Sequence, residues 1–251
     1  MTHPRLAQVQ VALMLLTRLP AGQLRAPVPS LRQSAWAFPL AGLAVGGLGA
    51  LTLLAAHALH LPTGIAAGMA LLVGVLATGG LHEDGLADLA DGFGGGRTRE
   101  RKLEIMRDSR IGSYGTLALI LSLGLRWQAL ASLPLPMAAM AVLAVAMASR
   151  AILPAVMAML PAARSDGLGK SASDGGGQGA SVATLIGLAA LLLCLGPWAA
   201  FVVSLAMALM ALAMARLALR QIGGQTGDVL GAIQQCAELA ALISLTAIAT
   251  P

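Results

Sequence analysis

Seven apolar runs dominate the chain, at residues 35–59, 63–81, 114–133, 137–160, 181–196, 198–219 and 229–249. Each is close to the ~20 apolar residues that carry a helix across a bilayer. None alternates as a membrane strand does, and lipid admits only helices or closed barrels. The pattern predicts an all-α, polytopic integral membrane helical bundle of about seven transmembrane helices, within a range of about six to eight. The runs follow one another with short linkers, so residues 1–251 are expected to form a single membrane-embedded domain. The stretch 6–19 is too short to cross and is expected to lie along the surface or re-enter. Its run Val11–Leu16 is followed by Arg18, Arg25 and Arg32 rather than a small-residue cleavage site, so it does not read as a signal peptide.

Composition agrees. The chain is 57% hydrophobic and 11% charged, against roughly 25% charged in soluble domains. A soluble surface, a disordered chain and a disulfide scaffold are excluded. Cys194 and Cys236 lie in apolar runs and read as packing residues.

The polar positions set orientation. The linkers 60–62, 134–136 and 196–197 contain no Asp, Glu, Lys or Arg, whereas the N-terminal segment and the loops 82–113, 161–180 and 220–228 hold most of the charge. Positive residues stay inside. The N-terminus and these loops are therefore expected in the cytoplasm, and seven spans leave the C-terminus outside. The net charge of +5 reads as topology. Nucleic acid is excluded as a partner, because no basic stretch carries interleaved aromatics. Gly42–Gly46 and Gly64–Gly68 are small-residue pairs of the kind that lets membrane helices approach. Arg126 and Glu238 fall inside spans, where each must face the protein interior or a wet cavity.

Residues 82–110 hold 13 of the 27 charges. They open with His82-Glu83-Asp84-Gly85-Leu86-Ala87-Asp88-Leu89-Ala90-Asp91-Gly92. Asp84, Asp88 and Asp91 are spaced i, i+4, i+7, within about 60° of arc on a helix. A solvated acidic helix end would mix acids with bases, yet no Lys or Arg occurs from 82 to 96. Such carboxylates call for a cation, and oxygen ligands suit Mg²⁺, with Mn²⁺ the alternative. Zinc is disfavoured, since His82 is the one nitrogen ligand nearby. Thr98 is the expected N-cap of a short helix, followed by Arg107-Asp108-Ser109-Arg110-Ile111-Gly112, whose guanidiniums suit phosphate oxygens. Two smaller islands follow. Arg164-Ser165-Asp166-Gly167-Leu168-Gly169-Lys170 precedes a Gly/Ser-rich loop at 171–181, and Gly223-Gly224-Gln225-Thr226-Gly227-Asp228 opens the last span. The latter suits anion binding at a helix start or a plain cap.

In this order, and with Leu16-Thr17-Arg18-Leu19-Pro20 ahead of them, these motifs resemble cobalamin synthase, the adenosylcobinamide-GDP ribazoletransferase family. They span residues 16–231; the 171–181 loop has no counterpart in the family pattern. The resemblance implies a multi-pass enzyme of the bacterial inner membrane with its active site facing the cytoplasm. It would transfer the adenosylcobinamide phosphate of adenosylcobinamide-GDP to α-ribazole or α-ribazole 5′-phosphate, releasing GMP, with Mg²⁺ as cofactor. Its remaining partner is membrane lipid, and an oligomer stays open. The expected catalytic residues are Asp84, Asp88, Asp91, Asp108 and Asp228, with Asp108 or Asp228 steering the acceptor hydroxyl or acting as base. Metal would sit on Asp84, Asp88, Asp91 and Glu83. Substrate would meet His82, Gly85, Gly92, Arg107, Ser109, Arg110, Gly112, Lys170, Gly223, Gly224 and Thr226.

Two rivals use the same carboxylates. A CDP-alcohol phosphotransferase shares Asp88-x-x-Asp91-Gly92, but its pattern breaks at Gly95-Gly96 and at Ser109 and Ser113. A cation transporter would hold its acids near the bilayer midplane.

Overall fold

The computed structural model describes residues 4–164 and 178–249. Among them the regular elements are helical, apart from one isolated bridge between Ala162 and Gln225. Helix α1 (Pro4–Leu16) buries Ala12 and Leu16 beside Phe38 and Ala41. Helix α2 (Leu31–Ser34), opened by a Ser30–Gln33 capping box, leads through a 3-10 turn into α3 (Phe38–Ala58).

Helix α3 lies on α8 (Leu135–Met159), the most buried of the long helices. In lipid, burying apolar surface against another helix gains little, so close packing holds the bundle. The Gly42–Gly46 pair supplies it: a Cβ on Gly42 would stand 2.2 Å from the Ala146 carbonyl oxygen. The Gly64–Gly68 pair instead seats a side chain. The Trp127 indole N–H donates to the Gly64 carbonyl at 2.5 Å, and its ring lies over Gly68.

Helix α4 (Thr63–Thr78) ends the second run, and α5 (Leu81–Gly95) leaves it at 88°. The turn uses Gly79 and Gly80 at φ 67° and 70°, a left-handed pair that costs other residues roughly 1–2 kcal/mol each. The Leu16–Pro20 motif braces it. The Arg18 amide donates to the Ala77 carbonyl at 2.7 Å, and the Arg18 side chain covers Gly79. Thr98 caps α6 (Arg99–Ile105) as expected, accepting from the Arg101 amide. Helix α7 (Ser113–Ser132) follows.

The two runs 181–196 and 198–219 form one element, α9 (Gln178–Ile222), interrupted at Gly196, where φ is 78° and ψ 169°. Its arms fold back on each other. Thr184, Leu188, Ser204 and Ala208 line one cavity, and its two ends meet Trp36 and Arg99 on the charged side. Helix α10 (Gly227–Ala249) completes the bundle.

All seven expected runs are thus helical. By length and composition, four helices among the described residues suffice to cross a membrane, or five if the bent α4–α5 pair is one span. The count is below seven because α9 counts once and because Arg126 and Gln128 dilute α7. The result is an all-α polytopic membrane bundle. Cys194 and Cys236 pack against its core, as expected.

Candidate functional site

Helices α5 and α10 cross where Gly85 meets Gly231. A Cβ on Gly85 would lie 3.0 Å from the Asp228 carbonyl and 3.3 Å from the Gly231 Cα. The crossing brings Asp228 to the acidic stripe. Along that stripe burial deepens, from exposed Asp84 through half-buried Asp88 to buried Asp91. Burial, with the charges of Asp84, Asp228 and Asp91, raises the Asp88 carboxyl to about 7. The cation beside this set is Arg164, whose Nη1 lies 3.6 Å from the Asp228 carboxylate. Its Nη2 donates to the Leu103 carbonyl at 2.9 Å.

Not every acid of the stripe faces this space. Asp91 accepts from the Gly112 amide at 2.7 Å and the Gly115 amide at 2.9 Å, locking α5 to the start of α7. Gly92 packs beneath Met106 of the adjoining turn. Asp91 and Gly112 thus tie α5 to the start of α7, and Gly92 ties it to the turn between them. Glu83 points into the bundle, accepting from Arg126 at 3.2 Å and Gln235 at 3.0 Å. Arg126 also reaches Glu238 at 3.0 Å, and Arg150 lies 3.5 Å from the same carboxylate. Ser149 and Gln234 complete the network by donating to Glu238. Arg126 and Glu238, the in-span charges singled out in the sequence, thus pair, and Glu83 and Arg150 join them.

The loop after α6 is exposed at Arg107, Ser109 and Arg110. Asp108 is bound to the Arg110 guanidinium at 2.7 Å and to its amide at 3.1 Å. Those bonds hold its carboxyl at about 2, which makes it a feeble base. Gly223 and Gly224 belong to a clasp. The Ala163 amide donates to the Gln225 carbonyl and the Gln225 amide to the Pro161 carbonyl, both at 2.8 Å, and Gly224 rests on the Pro161 carbonyl. Thr226 caps α10 through the Val229 amide and also donates to Asp228. The clasp therefore positions Asp228 and Arg164. His82 is buried, with neither ring nitrogen hydrogen-bonded. Of the island 164–170, residues 165–170, Lys170 included, lie outside the described residues, as does the 171–177 part of the expected Gly/Ser loop.

Among the described residues, no three Asp, Glu, His or Cys side chains stand close enough to hold a metal ion unaided. The donors at the crossing, Asp84, Asp88 and Asp228, are all carboxylates carrying more negative charge than Arg164 offsets. Such a set fits Mg²⁺, which keeps waters and bridges to substrate phosphates from one or two carboxylates; it does not fit a closed protein cage.

Sequence reasoning overlooked Gln235, Ser149 and Arg150 as members of these sites. Arg150 carried a signal, being a charge within an apolar run. Arg164 stood at the head of the polar island 164–170, but its pairing with Asp228 was not legible there, since Asp228 comes from elsewhere in the chain.

Residues 8–246 match the family described as cobalamin-5-phosphate synthase. The adenosylcobinamide-GDP ribazoletransferase of Bradyrhizobium diazoefficiens is 49% identical over 240 residues, covering 95% of this chain and 92% of that protein. Its namesake in Azorhizobium caulinodans is 47% identical over 264 residues and the full length of both chains. That of Shewanella pealeana is 39% identical over 242 residues, 94% of this chain and 93% of the other. No solved structure matches.

Proposed function

The chain belongs to the cobalamin-5-phosphate synthase family, and from that premise we propose that it is an adenosylcobinamide-GDP ribazoletransferase working at the α5–α10 crossing. A ribose hydroxyl of α-ribazole, or of its 5′-phosphate, attacks the phosphorus that carries the cobinamide. The bond from that phosphorus to the bridging oxygen breaks, GMP departs and the hydroxyl proton is released. Phosphoryl transfer needs mainly positioning and neutralised charge.

The observation that carries the reading is the crossing itself, which adds Asp228 and Arg164 to Asp84 and Asp88. Asp84, Asp88 and Asp228 would hold Mg²⁺, which when bound neutralises charge growing on the diphosphate. Arg164 binds a phosphate oxygen or steadies Asp228. Arg107 and Arg110, exposed on the neighbouring loop, suit the guanosine-bearing phosphates. Asp228, held by Thr226, is the better placed of the two candidate acids to orient the hydroxyl. The charged loops meet at one end of the bundle: Arg99 donates to the Ala163 carbonyl, and Lys102 to Gln221. By the positive-inside rule that end faces the cytoplasm of a bacterial inner membrane. The relatives' names support this transferase over the two rivals.

The test is purified, detergent-solubilised protein given adenosylcobinamide-GDP, α-ribazole and Mg²⁺. GMP and a cobalamin are expected in equal amounts. CMP release from a CDP-activated donor instead would overturn the reading.

A further inference from the structure

We propose that the cavity between α1, α3, α5, α8 and α10 is the slot for the acceptor's aromatic base. The identity of the occupant rests on the transferase reading above; the location rests on the cavity. Its volume is about 160 Å³. The walls are apolar, with Leu15 and Leu16 from α1, Phe38 from α3, and Leu153 and Met157 from α8. One side is polar: Asp84 and Asp228 border it, with Gly85 and Gly231 between them. Buried His82 also contributes to the wall.

Size and chemistry choose among the parts of the two substrates. An apolar cavity of ~150 Å³ takes about one benzene ring, so a corrin macrocycle is far too large. Guanine presents several donors and acceptors, and burying them against leucines without partners costs roughly 2–7 kcal/mol each. The base of ribazole is flat, carries hydrocarbon on one ring and offers a single bare ring nitrogen. Its benzo end fits the leucine and phenylalanine walls, and its ribose is then left at the acidic border, where the hydroxyl must react.

The other cavities do not meet both demands. Two larger ones beside α1 and α2, about 440 and 710 Å³, border Arg25 or Arg5 and Arg32 and no acid. The one at the Arg126–Glu238 network is about 60 Å³ and bordered by charge. The one between α8 and the arms of α9 is lined by Ala148, Leu188 and Met207, with no acid beside it. The arrangement also gives the N-terminal motif a purpose. By bracing the α4–α5 turn, the segment after Leu16 fixes the end of α1 across the cavity from the acidic helix.

Two measurements test this. First, Leu15→Trp fills the cavity from a half-buried wall position. Its KM for α-ribazole is expected to rise about 10-fold or more, the scale of a filled apolar pocket. The KM for adenosylcobinamide-GDP should stay within about 2-fold on the same scale. A rise in the donor's KM instead, or no change in either, overturns the proposal. Second, Leu15→Cys, with Cys194→Ala and Cys236→Ala, is alkylated with a maleimide in detergent without donor. α-Ribazole should slow labelling and GMP should not; protection by GMP, or by neither, overturns it. Because labelling needs no turnover, protection by ribazole in a protein that releases no GMP would sink the transferase reading while leaving the slot in place.

Discussion

The molecule holds two clusters of charge that share α5, one through Glu83 and the other through Asp84 and Asp88, and they are built on opposite plans. Around Arg126 the charges balance: two glutamates face two arginines, and Ser149, Gln234 and Gln235 take up lone pairs. Around Asp88 they do not, since Asp84, Asp88 and Asp228 share one nearby arginine. Both contain carboxylates that adjoin apolar helices, so burial alone does not separate structure from function. Neutrality does. A balanced cluster calls for no further charge, whereas an unbalanced one is completed by something brought to it.

That contrast can be broken at either end. The largest effect is expected from Arg126→Leu. It leaves Glu83 and Glu238 without their main partner, and stripping one member from a buried pair costs roughly 3–5 kcal/mol. Thermal unfolding in detergent should show a steep loss, much of it regained when Glu83→Gln is added, which leaves Glu238 balanced by Arg150. If the double variant is no better than the single, the network is not held by charge balance. Asp88→Asn should do the reverse, lowering GMP release about 10²–10³-fold, as removal of one transition-state electrostatic group does, with the melting temperature unchanged or raised. Activity near wild type would end the metal assignment.

Asp91→Asn sharpens the line between the two. It turns a charge-assisted acceptor of two amides into a group whose NH₂ end faces one of them, donor to donor, and such bonds are worth about 1.5–3 kcal/mol. Unfolding should move by that amount, with loss of activity following loss of folded protein. A normal melting curve with dead enzyme would return Asp91 to the catalytic set. The smallest effect belongs to the exposed Arg101–Glu104 pair, 2.7 Å apart. Arg101→Ala should shift stability by less than about 1 kcal/mol and leave GMP release alone.

The same contrast explains what could be read in advance. Apolar runs of bilayer length mark helices whatever their neighbours, so α3, α4, α7, α8 and α10 stand where hydropathy puts them, and Gly196-Pro197 marks the turn of α9. The i, i+4, i+7 spacing likewise marks one acidic face. What spacing cannot reveal is which way each acid is spent. Asp91 is claimed by amides at Gly112 and Gly115, more than 20 residues on, and Glu83 by Arg126 and Gln235, 43 and 152 residues away. Those partners arrive only through packing. Asp228 was legible as a helix-start acid but not as a neighbour of Asp88, because the meeting depends on Gly85 and Gly231.

That meeting point has a consequence for how the protein tolerates change. With hydrogen atoms alone between the two backbones, the gap between the two halves of the site is at its physical minimum, a gauge set by atomic radii rather than by the choice of any side chain. Substitutions elsewhere can drift and be compensated by their neighbours. At Gly85 and Gly231 there is nothing smaller to retreat to, so every change is in one direction: it moves Asp228 away from Asp84 and Asp88.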